Sequence, residues 1–231
     1  MANLPHHQVT MLKSLFRRRL PQVDGRIYLH PLSQPAAVYR DAWGIPHIYA
    51  ANRRDLLIAQ GFIHAQDRLW QMELNRRAAK GELCALLGPI PLRTDRLART
   101  LGFGRLAAAS WDHLPQAARD DLRAYTAGIN AFLENRFPLP VEFSLARHQP
   151  RPWDVLDSLA YGRLHMLSLR YPPENPDTLP QGIEVNQWLL DGLAGVWTNP
   201  FLGKGAQDGA GRGSNGWVIG PERSASGQAI L

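Results

Sequence analysis

The chain has 231 residues, 45% of them hydrophobic and 20% charged, which suits a globular protein of one large domain or two small ones. A single cysteine, Cys84, excludes an intramolecular disulfide, no Cys/His spacing matches a zinc site, and no apolar run approaches the ~18 residues of a membrane span. The formal charge is +6, but the pairs Arg53-Arg54 and Arg76-Arg77 lie beside carboxylates, so solvated helix faces are expected rather than a nucleic-acid surface.

Residues 1–35 read as an extended, mobile lead-in, because Pro21, Pro31 and Pro35 prevent a long helix. The basic run Arg17-Arg18-Arg19 has no apolar stretch after it, so no signal peptide is expected. Val38-Tyr39-Arg40-Asp41 and Ile45-Pro46-His47-Ile48-Tyr49 flank Ala42-Trp43-Gly44 as two strands of a hairpin. Pro46 suits an edge position or a strand start.

Asp55 is the expected N-cap of a long helix. Its apolar face is Ile58, Phe62, Ala65, Leu69 and Met72, at spacings of four and three. Its polar side carries Gln66, Asp67, Gln71 and Arg77, with Asp67 and Arg68 read as an ion pair. Gly81 and Gly88-Pro89 end the pattern, and Cys84 between them is expected to be a small buried residue. Pro115 opens a second helix with the stripe Leu122, Tyr125, Ile129 and Phe132. A third starts at Asp154, turns Leu156, Leu159, Met166 and Leu167 inward, and stops at Pro172-Pro173. On their own, these helices are expected to leave their apolar stripes partly exposed. From Tyr171 to Gly213, Pro, Gly, Asn and Asp dominate, and 203–213 has the composition of an exposed linker. Strand chemistry resumes at Trp217.

The Gly213-Ser214 bond closes that linker. A serine hydroxyl that attacks the preceding carbonyl exchanges the amide for an ester, and water then releases Ser214 with a free α-amine. That amine has a pKa of roughly 7.7–8.0, so nucleophile and base would sit on one residue. A turn would carry the same three residues, Gly213-Ser214-Asn215.

Several separated motifs resemble one family. Arg40-Asp41-Ala42-Trp43-Gly44-Ile45-Pro46-His47-Ile48-Tyr49-Ala50 is similar to the opening of the small chain in the penicillin acylase (penicillin amidase) family. Ala59-Gln60-Gly61-Phe62-Ile63-His64-Ala65-Gln66-Asp67-Arg68-Leu69-Trp70-Gln71-Met72-Glu73-Leu74-Asn75-Arg76-Arg77 resembles its long signature helix. Leu139-Pro140-Val141-Glu142-Phe143 with Pro152-Trp153 resembles the entry to the next helix, and Gly213-Ser214-Asn215-Gly216-Trp217 the start of the large chain.

The resemblance implies an α+β fold, the Ntn-hydrolase αββα sandwich, cut from one precursor into two chains. On that reading 36–202 is the small-chain region, 203–213 the spacer, and 214–231 the start of the large chain. The implied reaction is hydrolysis of an N-acyl amide, of β-lactam or N-acyl homoserine lactone type. The small-molecule substrate and the rest of the large chain are the implied partners, and the fragment alone is expected to be inactive. No organic cofactor is implied, but a structural calcium is. Compartment stays open, since members are often periplasmic or secreted. Ser214 matches the nucleophile and Gly213 the residue before the cut. Met166, Leu169 and Arg170 fall on the helix that lines the acyl pocket, with core packing the other reading of Met166. Glu174 falls where a small-chain calcium ligand is expected, although Pro172, Pro173 and Pro176 interrupt the helix there. His47 and His64 are read as structural hydrogen bonders. The alternative to the enzyme is a non-catalytic small chain that needs a partner.

Overall fold

The computed structural model describes residues 20–135 and 137–170. The first regular element is the hairpin, β1 (Ala36–Arg40) and β2 (Pro46–Ala50), paired antiparallel with Ala36 opposite Ala50, Val38 opposite Ile48 and Arg40 opposite Pro46. Its turn is held by one side chain. Asp41 Oδ1 accepts the amides of Trp43 and Ile45, each at 2.9 Å, and Gly44 takes φ +78°, a conformation glycine adopts without Cβ strain. Alternation puts Val38 and Ile48 against the core and Tyr39 and Tyr49 outward, where their rings meet edge to face at 5.8 Å.

The central element is α1 (Arg53–Lys80). Asn52, not Asp55, is its N-cap: the Asn52 side-chain oxygen accepts the Asp55 amide at 2.8 Å. Asp55 lies in the first turn with its carboxylate fully buried, and it ties down the lead-in. It accepts the Ser33 hydroxyl at 2.6 Å, the Ser33 amide at 2.9 Å and the Gln34 amide at 3.0 Å. Those hydrogen bonds, the Ser33 hydroxyl foremost, hold its pKa well below the usual carboxylate range against the effect of burial. The lead-in is thus tied to α1 at Ser33 and Gln34, and Ile27 and Leu29 contact the core, while most of residues 20–35 stay exposed.

The helix bends at Arg68, whose backbone is non-helical (φ −139°, ψ 20°). Arg40 grips the two residues before the bend, through Gln66 at 3.0 Å and Asp67 at 2.8 and 3.0 Å. Asp67 thus pairs with Arg40 across 27 positions of sequence, not with Arg68. Gly81 ends the helix in the left-handed region, with the Glu82 amide reaching the Arg77 carbonyl at 2.8 Å.

Then follow α2 (Cys84–Leu87), α3 (Leu92–Leu101), α4 (Phe103–His113), α5 (Gln116–Glu134), α6 (Val141–Leu145) and α7 (Val155–Arg170). The sequence signals passed over α3 and α4. Thr94 and Asp95 stand on the inner face of α3, and α4 turns the small Ala107 inward. Asp95 accepts the amides of Leu83 at 2.9 Å and Cys84 at 2.8 Å, which caps α2. Cys84 is only half-buried.

The most extensive helix contact is α1 on α5. Two glycines permit it. A Cβ on Gly61 would strike the Tyr125 carbonyl oxygen, and one on Gly128 would strike the Ile58 carbonyl oxygen. The expected apolar stripes are largely covered: Ile58, Phe62, Leu69, Ile129 and Phe132 are all buried. Phe62, Leu69, Ile129 and Phe132 share one core with Phe143 and Trp153. A second core gathers Leu74, Ala78, Leu83, Ala98, Phe103, Ala107, Ala160 and Leu164 where α7 and α4 cover the far half of α1. The described residues are thus helix-rich with one two-stranded sheet. None of their helices is long and apolar enough to cross a membrane.

Candidate active-site helix and its anchor

Helix α7 is set in place at its N-terminus. The Trp153 amide donates to Asn130 Oδ1 on α5 at 2.7 Å, and Asn130 Nδ2 returns a bond to the Trp153 carbonyl at 3.0 Å. The Asp154 carboxylate accepts the Leu156 amide at 2.8 Å, and Asp157 accepts the Asp154 amide at 2.9 Å. These bonds satisfy backbone donors that the first turn leaves without helical partners.

Asp157 also anchors a charge network on α1. Its side chain is fully buried and accepts Arg151 at 2.7 and 2.9 Å, together with Lys80 and, at 3.4 Å, Arg76. Arg76, only 2% exposed, pairs with Glu73, donates to the Arg151 carbonyl at 3.2 Å and lies 5.2 Å from the centre of the Trp153 ring. Glu73, equally buried, takes Arg77 at 2.6 Å and stands 2.9 Å from His148 Nε2. Burial raises the Asp157 pKa, but the Arg151 and Lys80 hydrogen bonds outweigh it and bring the group down to about 2. Burial lowers the Arg76 pKa against the pull of Glu73. Arg76, read from sequence as solvated, is a core residue. The signal was available in the i,i+3 spacing of Glu73 and Arg76, but not the depth at which it sits.

Ala160 and Leu164 face inward, whereas Met166 is 66% exposed. Met166 was expected to turn inward; one position off the buried stripe, it points away from it. Tyr161 and His165 stack on each other at 5.9 Å. Leu169 and Arg170 belong to the last turn of α7. Glu174, the 203–213 spacer, Gly213 and Ser214 lie outside the described residues.

His47 stands exposed, 3.3 Å from Asp41, and His64 Nδ1 is 2.9 Å from the Tyr125 hydroxyl. Burial lowers the His64 pKa, with Asp67 opposing, and pushes Tyr125 up to about 12. Both histidines make local polar contacts, as their structural reading requires. A pocket of about 140 Å³ lies between the lead-in, the hairpin and α1, lined by Ile27, Leu29, Val38, Phe62 and Gln66. A shallower one of about 440 Å³ adjoins Arg40, Asp67 and Pro140. Neither is lined by a residue of α7. Among the described residues no three His, Cys, Asp or Glu side chains gather to hold a metal.

The family model described as penicillin amidase matches residues 35–231. The chain belongs to the penicillin amidase family. It is 38% identical to the penicillin acylase 2 proenzyme of Pseudomonas sp. (strain SE83), over 92% of this chain and 31% of that protein. It is 29% identical to the acyl-homoserine lactone acylase QuiP of Pseudomonas aeruginosa, over 92% of this chain and 29% of that protein. The chain therefore spans about a third of the length of these curated relatives. Among solved structures, the thermostable penicillin G acylase from Alcaligenes faecalis matches with a TM-score of 0.52 at 29% identity, covering 70% of this chain and 92% of that one.

Proposed function

We propose that this penicillin amidase family chain is the N-terminal part of an N-acyl amide hydrolase whose nucleophile is Ser214, freed by cleavage after Gly213. The observation that carries the reading is the family match over residues 35–231, a range that includes Gly213-Ser214. Coverage supports the cut. The chain spans 31% of the Pseudomonas proenzyme but 92% of the solved Alcaligenes chain, so in that solved enzyme the matching region stands as a short chain of its own.

In the cleavage step Ser214 Oγ attacks the Gly213 carbonyl carbon, and the amide nitrogen leaves as the Ser214 amine. Water then hydrolyses the ester and leaves Gly213 with a carboxylate. In the catalytic cycle the α-amine takes the Ser214 hydroxyl proton, Oγ attacks the substrate amide carbonyl, and the amine product departs with that proton. Water, deprotonated by the same amine, hydrolyses the acyl-serine ester. The acyl group would lie against the end of α7 that carries Met166, Leu169 and Arg170, a helix whose start is fixed by Asp157. The relatives' names divide between penicillin and acyl-homoserine lactone acylases, so the substrate is proposed at the level of an N-acyl amide of either kind. The complete fold is proposed as the αββα sandwich, with α1, α5 and α7 among its outer helices. The remainder of the large chain is the partner that would supply the oxyanion donors. Glu174 is retained as a candidate calcium ligand, and no step depends on it.

Mass spectrometry of the precursor-length protein tests the reading. The wild type yields a chain starting at Ser214. Ser214→Ala stays in one piece and hydrolyses no N-acyl amide. Cleavage of Ser214→Ala at the same bond, or full activity in an uncut wild-type chain, refutes it.

A further inference from the structure

Ala59, Phe62, Ile63 and Gln66 share one face of α1 and form the floor of the pocket of about 140 Å³ beneath the lead-in. Ile27 and Leu29 of the lead-in form its roof, and Val38 of β1 stands as one wall. The roof is a strap pinned at its two ends. At one end Gln66 Nε2 donates to the Gln22 carbonyl at 2.8 Å. At the other, Asp55 accepts the amides of Ser33 and Gln34 at 2.9 and 3.0 Å. Between the pins the Leu32 amide turns back on the Leu29 carbonyl at 3.2 Å. Held in this way, the strap spans the floor instead of collapsing on it. Ala59, the smallest side chain of the floor, leaves room that a leucine would fill.

The polar side chains of the lining are engaged with one another. Gln66 uses its amide nitrogen on Gln22 and its oxygen on Arg40. Both terminal nitrogens of Arg40 are taken, by Gln66, by Asp67 and by the Gly44 carbonyl. The other charged residue of the lining, Asp24, is exposed at the rim. A carboxylate entering the pocket would therefore find its one cation committed and an acid at the edge.

We infer that this pocket is a ligand site, separate from α7, that takes a neutral apolar molecule the size of one six-membered ring. Volume sets the size, since an apolar cavity of about 150 Å³ holds one benzene. Lining sets the class: the floor and roof are aliphatic and aromatic, and a charge buried there without a partner is disfavoured. A molecule seated in the pocket touches α1 and the strap together, so its binding holds the strap down. The inference rests on this pocket and not on Ser214 chemistry.

The test uses the precursor-length protein carrying Ser214→Ala, so that neither cleavage nor hydrolysis enters. Benzene is the probe and benzoate its charged counterpart. Titration calorimetry is expected to show saturable benzene binding, with benzoate weaker by about tenfold or more. Amide hydrogen exchange across residues 23–32 should slow when benzene is bound, while exchange in α5 stays the same. Ala59→Leu fills the floor and should weaken benzene binding by about tenfold or more. Val38→Phe fills the pocket from the hairpin, should act alike, and serves where Ala59→Leu does not fold. Absence of saturable benzene binding overturns the proposal, including the case in which residues of the longer protein already fill the pocket. Benzoate binding as tight as benzene, affinity unchanged in the filled variants, or exchange that slows elsewhere and not in 23–32 overturns it as well. Failure of the wild-type precursor to hydrolyse N-acyl amides would leave these readouts untouched and count against the proposed function alone.

Discussion

Asp157→Ala should be among the most destabilising single changes in the described residues. The carboxylate is fully buried and joins four groups: Arg151, Lys80, Arg76 and the amide that opens α7. Its removal leaves Arg76 buried with Glu73 as its remaining carboxylate partner, and strips the first turn of α7 of a cap. Breaking a buried pair by deleting one partner costs about 3–5 kcal/mol. For a domain of this size that lowers Tm by roughly 10 °C or more. Asp157→Asn separates charge from hydrogen bonding. A carboxyl held at about 2 instead of the ordinary 3.8 stabilises the fold by about 2 kcal/mol, after a discount because Arg151 is partly solvated. The folded-state pKa is the depressed one. The contribution is therefore complete above about pH 5 and disappears as pH falls through 3.8 towards 2. Urea unfolding of wild type and Asp157→Asn at pH 7 and at pH 3 is the assay. The gap between the two proteins should narrow at the lower pH. Asp55 and Asp41, also depressed, titrate in both proteins and cancel in the difference. A gap that stays constant with pH, or an Asp157→Ala protein within 0.5 kcal/mol of wild type (about the scatter of neutral surface changes), would refute the reasoning.

Two further changes probe the frame that carries α7. Gly128→Ala must push α5 off α1, because the new methyl meets the Ile58 carbonyl and the Phe62 amide rather than a side chain that can turn away. A loss of about 3 kcal/mol is expected in urea unfolding. Asn52→Ala removes the N-cap of α1 and one donor to Asp55, and should cost about 1 kcal/mol by the same measurement.

Where the chain's own local chemistry decides, the sequence was sufficient. The hairpin follows from β-rich runs around a Trp43-Gly44 turn, and the structure adds only that Asp41 staples it. The long helix follows from the period of Ile58, Phe62, Ala65 and Leu69, and its stop from Gly81. The motifs that run from Arg40 to Trp217 carry the family without reference to any fold. Tertiary structure decided the rest, chiefly the fate of charged side chains. Asp55, Glu73, Arg76 and Asp157 look like surface residues in any local window, because burial of a charge has no periodicity. It becomes favourable only where a partner distant in the chain arrives, as Ser33 does for Asp55 and Arg151 and Asp157 do for Arg76. The same holds for Met166. Its spacing from Leu159 fits a helical stripe, but α1 and α4 select Ala160 and Leu164 as the inward positions, and the one-residue offset leaves Met166 exposed. The apolar half of α7 is wider than the strip its neighbours cover, and which part of it turns inward is fixed by the neighbours it meets.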